Sequence, residues 1–231
     1  MRILTIYATP HKGNTRAITE IFLANFKNDN NEFDEIVLPF DMPHICLGCG
    51  NCIIKGEGYC PHHNAMETIL DRIEKADLLV FATPCFVNSC SSGMKALLDH
   101  LAYIFLVHRP RASMFNKVSM IITTAAGAGI KPTTKLIKLN LFYWGVPKIY
   151  NYGITCMKMC GNYSETKKKE KIIKTVNKKA NKVKKALKNP KPGFKNRLFF
   201  NIFKFAQKNG WNPIDKNYWK ENGWLDGQKP Y

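Results

Sequence analysis

The sequence predicts an α/β fold with a parallel sheet that is covered by helices on both faces. Five short apolar segments alternate with five segments of helical periodicity, which is typical of strands joined by crossover helices. The third segment, 77–82, is almost continuously apolar and therefore indicates a strand buried on both faces. We predict strands at residues 2–8, 35–40, 77–82, 118–124 and 148–156. We predict helices that begin near residues 14, 64, 92, 131 and 164.

The turn after the first predicted strand has the features of an anion site. Residues 9–15 read Thr-Pro-His-Lys-Gly-Asn-Thr and lead into a helix. Backbone N–H groups and the helix dipole favour an anion at such a helix start, and Thr9, Asn14 and Thr15 add side-chain donors. The turn lacks the spacing of a nucleoside-triphosphate loop and of a dinucleotide fingerprint. A terminal phosphomonoester is therefore the predicted ligand.

Two further loops are expected to lie beside this turn. In a parallel sheet of this kind, ligands bind beyond the carboxyl ends of the strands, where the strand order reverses. The loops that follow the first, third and fourth predicted strands are residues 9–15, 83–92 and 125–130. All three are rich in polar or small residues, so we predict that they form one ligand site.

A cysteine-rich loop after the second predicted strand is the most specific feature of the sequence. Four cysteines with glycines between them lie within fifteen residues: Cys46, Cys49, Cys52 and Cys60. A C-x2-C-x2-C run with a more distant fourth cysteine favours a [4Fe–4S] cluster. Zinc is an alternative, although its four-thiolate sites usually consist of two separated pairs. A loop of free thiols or disulfides without metal is the third interpretation.

The excess of positive charge belongs to the C-terminal third of the chain. The formal net charge is +18; residues 1–163 carry 16 Lys and Arg against 12 Asp and Glu, and residues 164–231 carry 19 against 5. Residues 167–191 alone contain twelve lysines and one acid. Such a segment can bind polyanions by counterion release, but the apolar helical repeat beneath the lysines favours a solvated helix face. No specific nucleic acid is expected.

The chain is predicted to divide into a main domain and an extension. The main domain is residues 1–190, with the cysteine loop at 41–63, and the basic, helical extension is residues 191–231. The apolar run Phe199–Phe205 lies next to basic residues and is expected to pack on the body or on a partner subunit. Peripheral contact with a membrane is an alternative that the sequence does not favour. Eight cysteines and the lack of a secretion signal or a membrane-spanning run lead us to expect a cytoplasmic location.

Three motifs together resemble the flavodoxin-like family of NAD(P)H-dependent FMN reductases, and especially its iron–sulfur flavoprotein branch. The turn at 9–15 is similar to that family's phosphate loop, S-P-R-x-x-x-N-T. The four cysteines resemble its C-x2-C-x2-C-x4-7-C loop after the second strand. Residues 83–99 resemble its third-strand motif, which begins S-P-V-Y and ends K-x-[FL]-[IL]-D. The resemblance covers about residues 1–160.

The resemblance implies a doubly wound five-stranded sheet of order 2-1-3-4-5 with FMN bound at its edge. The FMN phosphate would be held in the first loop by Thr9, His11, Asn14 and Thr15, with Lys12 beside them. The isoalloxazine edge would be lined by the second loop: Pro84, Cys85, Phe86, Val87, Asn88 and Ser89. The other side of the ring would be closed by Thr124, Ala125 and Gly127. The four cysteines would hold the cluster.

This sequence departs from the family pattern at several of these positions. The phosphate loop is one residue shorter, and His11 replaces the usual arginine. The histidine predicts that phosphate affinity depends on pH. Cys85 and Phe86 stand where valine and tyrosine are common, which predicts a change in flavin potential or packing.

The resemblance implies an FMN-dependent oxidoreductase that moves electrons between a reduced donor, NAD(P)H or ferredoxin, and an acceptor. The sequence does not identify a catalytic acid or base. Two alternatives stay open: a non-enzymatic electron carrier like a flavodoxin, and a metal- or nucleic-acid-binding module on the same sheet. Because family members are commonly dimers or tetramers, a homo-oligomer is expected.

Overall fold

A single parallel sheet forms the centre of the protein. The computed structural model describes residues 1–156, 166–210 and 212–231. The five strands are β1 (Arg2–Tyr7), β2 (Glu32–Val37), β3 (Leu78–Pro84), β4 (Val118–Ala125) and β5 (Lys148–Thr155). Their order is β2-β1-β3-β4-β5, and every neighbouring pair is parallel. The predicted doubly wound fold is confirmed.

Helices cover both faces of the sheet. The described residues form α1 (Asn14–Ala24), α2 (Asn51–Ile54), α3 (His63–Lys75), α4 (Ser92–His100), α5 (Ile130–Tyr143), α6 (Thr166–Leu187), α7 (Phe194–Lys208) and α8 (Pro213–Glu221). Short 3₁₀ turns lie at Glu57–Tyr59, Ala102–Ile104 and Ala112–Asn116. The predicted helix start at residue 164 lies outside the described residues. Within them, no helix combines the length and the apolar character needed to cross a membrane.

The central strands are buried because their alternate residues face two different layers of helices. In β3, Leu79 and Phe81 pack with α3, α4 and α5, whereas Leu78 and Val80 pack with α1 and α6. All four side chains are fully buried. This two-sided burial explains why the sequence of β3 is continuously apolar.

The second strand lies three residues earlier than predicted. The prediction was 35–40, but β2 begins at Glu32 and pairs with β1 so that Glu32 lies opposite Arg2. Because β2 is an edge strand, its first four residues are exposed and it buries only Ile36 fully. Phe40, which suggested a longer strand, lies beyond its end and is exposed. The prediction was wrong because the apolar signal of this strand comes from its last residues.

Helices α7 and α8 pack on the body through an aromatic cluster. Its buried members are Leu106, Phe115, Phe200, Trp219 and Trp224. The Phe200 ring centroid lies 5.1 Å from that of Trp219 and 5.6 Å from that of Phe115. The indole N–H of Trp219 donates to the carbonyl oxygen of His108 at 2.6 Å. These contacts join the extension to the body, while a domain boundary near residue 190 stays a prediction.

We expect truncation of Phe200 to weaken the whole fold. Phe200→Ala should lower the free energy of unfolding by about 3–5 kcal/mol, because it leaves a cavity between α7, α8 and the body. Phe205→Ala on the same helix is the matched control; its side chain is 71% exposed, so its effect should stay within about 0.5 kcal/mol. Urea unfolding followed by circular dichroism measures both. Equal losses in the two variants would contradict the packing of α7.

Candidate functional site

The turn between β1 and α1 places hydrogen-bond donors at the carboxyl end of the sheet. The N-cap residue of α1 is Gly13, which has no side chain to accept from the first N–H groups of the helix. The backbone N–H of His11 donates to Thr9 Oγ1 at 3.2 Å, and the N–H of Gly13 donates to the carbonyl oxygen of His11 at 3.0 Å. Because the helix dipole is positive at this end, the turn favours a bound anion.

A pair of hydroxyl groups joins this turn to the neighbouring strand. Oγ1 of Thr15, near the start of α1, lies 2.6 Å from Oγ1 of Thr124, near the end of β4. Both residues are buried. Only one of the two protons is used in this hydrogen bond, so the other hydroxyl keeps a proton that it can donate to a ligand.

The loop after β3 forms the second wall of the site. The N–H of Cys85 donates to the carbonyl oxygen of Thr124 at 2.7 Å and extends the pairing of β3 with β4. Phe86 and Ser89 exchange two backbone hydrogen bonds of 2.9 Å, which close a turn. Within it, Val87 has a φ of 48°, which is rare for a β-branched residue, and is 98% exposed. The turn therefore presents an apolar side chain to solvent beside the site.

These loops enclose a cleft of about 430 Å³. Nine of the predicted residues line it: Thr9, His11, Asn14, Thr15, Pro84, Cys85, Phe86, Thr124 and Ala125. Five other predicted residues lie outside the lining: Lys12, Val87, Asn88, Ser89 and Gly127. Three lining residues were not predicted: Gly13, Ala126 and Cys156. The sequence did offer a signal for Cys156, because it follows the fifth strand, whose carboxyl end lies beside that of the fourth.

The charge of the cleft lining suits the phosphate of FMN, and a glycine lets two walls of the cleft approach each other. Among the described residues that line it, none carries a carboxylate, which suits a phosphate. A Cβ on Gly129 would lie 2.2 Å from Sγ of Cys85 and 2.9 Å from Cα of Asn88. The φ of Gly129 is 94°, a value that favours glycine. The loops after β3 and β4 can therefore approach each other only because residue 129 has no side chain.

The thiol of Cys52 lies within electrostatic range of the other three thiols of the cysteine loop. Helix α2 carries Cys52 in its first turn. Burial raises the pKa of the Cys52 thiol, and the neighbouring thiols raise it further: Cys60, Cys46 and Cys49. Three glycines of the loop have positive φ values between 65° and 110°: Gly48, Gly50 and Gly56. The backbone conformation of the loop thus depends on glycine, and a bound metal cation would favour the thiolate form of Cys52.

A buried arginine supports the backbone of this loop. Arg109 is 2% exposed. Its guanidinium donates to the carbonyl oxygen of Cys52, and its Nη1 lies 3.5 Å from the carbonyl oxygen of Ile53. Its Nε donates to Glu57 Oε2 at 3.1 Å, and the carboxylate of Asp215 in α8 accepts from its Nη1. The guanidinium therefore connects α8 to the backbone of a predicted cluster ligand.

Asp215 is itself held in place by neighbouring side chains. It is 1% exposed; Nδ1 of His108 lies 2.8 Å from its Oδ2, and Nδ2 of Asn212 donates to the same atom at 3.2 Å. Nδ2 of Asn212 also lies 2.9 Å from the carbonyl oxygen of Ile53. Loss of either partner of a buried ion pair leaves an uncompensated charge. The contact between Asp215 and Arg109 therefore restrains the position of α8 relative to the cysteine loop.

Cys60 also belongs to a second group of possible metal ligands. The donor atoms of Cys60, His62 and His100 lie within 4.8 Å of one another, and no other such trio occurs in the described part of the chain. Nδ1 of His62 is 3.0 Å from Nε2 of His100, whose Nδ1 is 2.8 Å from the carbonyl oxygen of Ala96. Since a carbonyl only accepts, Nδ1 of His100 donates to it, and Nε2 of a neutral His100 accepts from Nδ1 of His62; a metal ion would take the place of that shared proton. The trio can hold one divalent ion, in competition with the four-thiol group for Cys60.

Two relatives of this chain are iron–sulfur flavoproteins. The chain is 27% identical over 157 residues to an iron–sulfur flavoprotein of Archaeoglobus fulgidus, an alignment that covers 66% of this chain and 68% of that protein. It is 24% identical over 144 residues to an iron–sulfur flavoprotein of Methanocaldococcus jannaschii, with coverage of 62% and 72%. These relatives belong to the branch that the three sequence motifs predict.

Solved structures confirm the fold. The chain is similar to the FMN-dependent NADH-azoreductase from Bacillus anthracis in complex with FMN, with a TM-score of 0.62, 14% identity and coverage of 79% of this chain and 99% of that one. It is similar to the NAD(P)H:quinone oxidoreductase from Methanothermobacter marburgensis with a TM-score of 0.62, 14% identity and coverage of 80% and 97%. At this identity the likeness establishes the flavodoxin-like fold.

The family of the chain follows from a match over most of the main domain. The family model described as NADPH-dependent FMN reductase matches residues 1–152 of the 231 residues. This range contains the three loops that form the cleft and the whole cysteine loop. The chain therefore belongs to the NADPH-dependent FMN reductase family and is a flavin-dependent oxidoreductase.

Proposed function

We propose that the cleft binds FMN, with the phosphate on the β1–α1 turn and the isoalloxazine ring between the loops after β3 and β4. The observation that carries this proposal is the convergence of three loops around one cleft at the carboxyl ends of β1, β3 and β4, where such sheets bind ligands. Thr9, Asn14 and the Thr15–Thr124 hydroxyl pair supply side-chain donors to the phosphate. The role of all fourteen predicted residues in FMN binding stays a prediction, and five of them lie outside the lining of the cleft.

FMN supplies hydride and single-electron chemistry when it is bound, while the residues of this chain bind and orient it. Pro84 and Ala125 offer apolar surface to a ring. The N–H groups of Cys85, Phe86 and Ser89 already donate within the protein. If this turn supplies a backbone donor to the ring, that donor is the N–H of Val87 or Asn88 at the tip of the turn.

We propose that the four thiols of the cysteine loop bind an iron–sulfur cluster rather than a single zinc ion. A Zn–S bond of about 2.3 Å in a tetrahedron places the sulfur atoms about 3.8 Å apart. In the described chain, no three of the four thiol sulfurs come within 4.8 Å of one another. A [4Fe–4S] cluster is larger and takes four thiolates. We propose that Cys46, Cys49, Cys52 and Cys60 would hold such a cluster, which supplies one-electron transfer when it is bound.

A mononuclear metal site is the second candidate for this region. The short spacing of Cys60, His62 and His100 favours one divalent ion over a cluster at that point. Cys60 belongs to both groups of ligands and cannot bind a cluster and a separate divalent ion at once. The two proposals therefore predict different metals. Iron with sulfide supports the four-thiol cluster, and one zinc per chain that is lost in the variant His100→Ala supports the trio over a zinc site of four thiols.

We propose NAD(P)H as the electron donor, because the matching family is described by its use of NADPH. A ferredoxin-linked donor and a pure electron carrier are the alternatives.

We further propose a homo-oligomer in the cytoplasm. The apolar Phe86 and Val87 beside the cleft, 54% and 98% exposed, support a covering subunit, and a thiol-rich loop supports a reducing compartment.

The first test is a spectrum of protein purified without oxygen, with iron and sulfide counted. We expect flavin bands, about four irons per chain and bleaching of the flavin by NADPH. Flavin without iron would reject the cluster but keep the reductase. Flavin that NADPH does not bleach, but a chemical reductant does, would favour the electron carrier. A colourless protein that also fails to bind added FMN would reject the proposed function.

The hydroxyl of Thr15 should matter for FMN and not for riboflavin, which lacks the phosphate. Thr15→Val should weaken FMN binding about ten- to a hundredfold, because a hydrogen bond to a charged group is worth about 1.5–3 kcal/mol. Fluorescence titration measures both ligands. Thr68→Val on α3, where Thr68 is exposed, is the matched control. Equal losses for FMN and riboflavin would show that Thr15 does not contact the phosphate.

Asp215 should order the cysteine loop from outside the matched family region. Asp215→Asn keeps the shape but removes the charge that compensates Arg109, so the loop should hold its conformation less firmly. We expect faster alkylation of the loop cysteines in metal-free protein and a lower iron content after reconstitution. Asp226→Asn, at an exposed acid of the same segment, should change neither. Unchanged FMN affinity would show that the fold is intact, and unchanged alkylation would contradict the role of Asp215.

A further inference from the structure

Helix α7 has two apolar faces, and only one of them packs on the protein. Phe200 is fully buried, and Phe199 and Phe203 are half-buried in the aromatic cluster. The opposite face carries an outer stripe of four exposed apolar residues. They are Phe194, Leu198, Ile202 and Phe205, which are 79, 43, 50 and 71% exposed. The run Phe199–Phe205 therefore contributes one side to the packing on the body and leaves a second apolar surface on the same helix.

The outer stripe is continuous along the helix. Its members are spaced by four, four and three residues, which places them on one side of an α-helix. Fifteen residues of α7 span about 22 Å. A contiguous exposed apolar surface rimmed by polar residues marks an interaction site, whereas single exposed apolar residues need no explanation.

The charge around the stripe identifies the kind of partner. Helix α7 contains no acidic residue, and the exposed lysines Lys195 and Lys208 lie near its two ends. Residues 191–231 carry eight Lys and Arg against three Asp and Glu. One of those three acids, Asp215, is already paired with Arg109. An apolar helix face flanked by basic residues is the pattern of helices that lie in the interface of anionic membranes.

A second copy of the chain is a poorer partner for this stripe. Self-association through α7 would bring the same lysines of two copies together, and like charges across an interface are unfavourable. An anionic bilayer surface satisfies both the apolar stripe and the flanking charges. The sequence alone did not favour a membrane, because it does not separate the inner face of α7 from the outer one.

We propose that α7 docks the protein, through the outer stripe, on a bilayer surface that contains anionic lipid. The helix lies parallel to the surface. Phe194 and Phe205 enter the interfacial region, and Lys195 and Lys208 contact lipid phosphates. The proposal uses no residue of the cleft or of the cysteine loop, so it stands apart from the proposed function.

Co-sedimentation of the full chain with vesicles tests this proposal. We expect the protein to pellet with vesicles of phosphatidylcholine and phosphatidylglycerol mixed three to one, and to stay in solution with phosphatidylcholine alone. The double variant Phe194→Ser with Phe205→Ser should bind the mixed vesicles at least about tenfold more weakly. Leu139→Ser on α5, where Leu139 is 49% exposed, is the matched control and should bind normally. Lys195→Gln with Lys208→Gln should also weaken binding.

Three outcomes would overturn the proposal. The first is a wild-type protein that stays in solution with the mixed vesicles. The second is binding that the double phenylalanine variant retains in full, which would assign the contact to another basic surface. The third is an oligomer that the same variant dissociates, without vesicle binding by the wild type, which would make the stripe a subunit interface. Circular dichroism and FMN binding show whether each variant is folded.

Discussion

The buried guanidinium of Arg109 is the interaction that ties the parts of this structure together. A cation at 2% exposure is stable only when its partners are in place. Those partners come from the cysteine loop, through Cys52 and Glu57, and from α8, through Asp215. The loop is therefore ordered by the protein before any metal is considered. The same requirement holds α8 against the body, because moving α8 away would separate the Asp215 carboxylate from the buried guanidinium of Arg109.

The cleft depends on a different constraint, the close approach of parallel strand ends. Thr15 and Thr124 meet at 2.6 Å because β1 and β4 both flank β3 in the same sheet. Gly129 then allows the loop after β4 to reach Cys85. Neither contact supplies chemistry by itself. Together they hold the walls of the cleft close to one another, and this cleft is the proposed site of the FMN ring and phosphate.

The sequence predicted the features that local pattern controls. Because β3 is buried on both faces, its continuous apolar run was enough to predict it. Because the loops at the carboxyl ends of parallel strands lie side by side, most of the predicted cleft residues come together. The sequence did not predict features that depend on burial of one face only or on contacts between distant parts of the chain. The edge strand β2 shows its apolar signal only near Ile36. Arg109 and Asp215 are 106 residues apart, and no periodicity connects them. The place of Cys156 in the cleft follows from the strand order, because β5 lies beside β4. The motifs implied that order, but none of them contains Cys156.

The extension contributes two features that lie beyond the residues matched by the family model. The family model ends at residue 152, whereas Asp215 and the outer stripe both lie beyond it. Phe200 and Trp219 hold α7 against α8, and Asp215 holds α8 against the cysteine loop through Arg109. A surface bound to the outer stripe would thus stand at a fixed position relative to that loop. If the outer stripe binds a membrane as proposed, the extension would set where the loop faces, and through Asp215 it adds to the main-domain contacts that hold the loop.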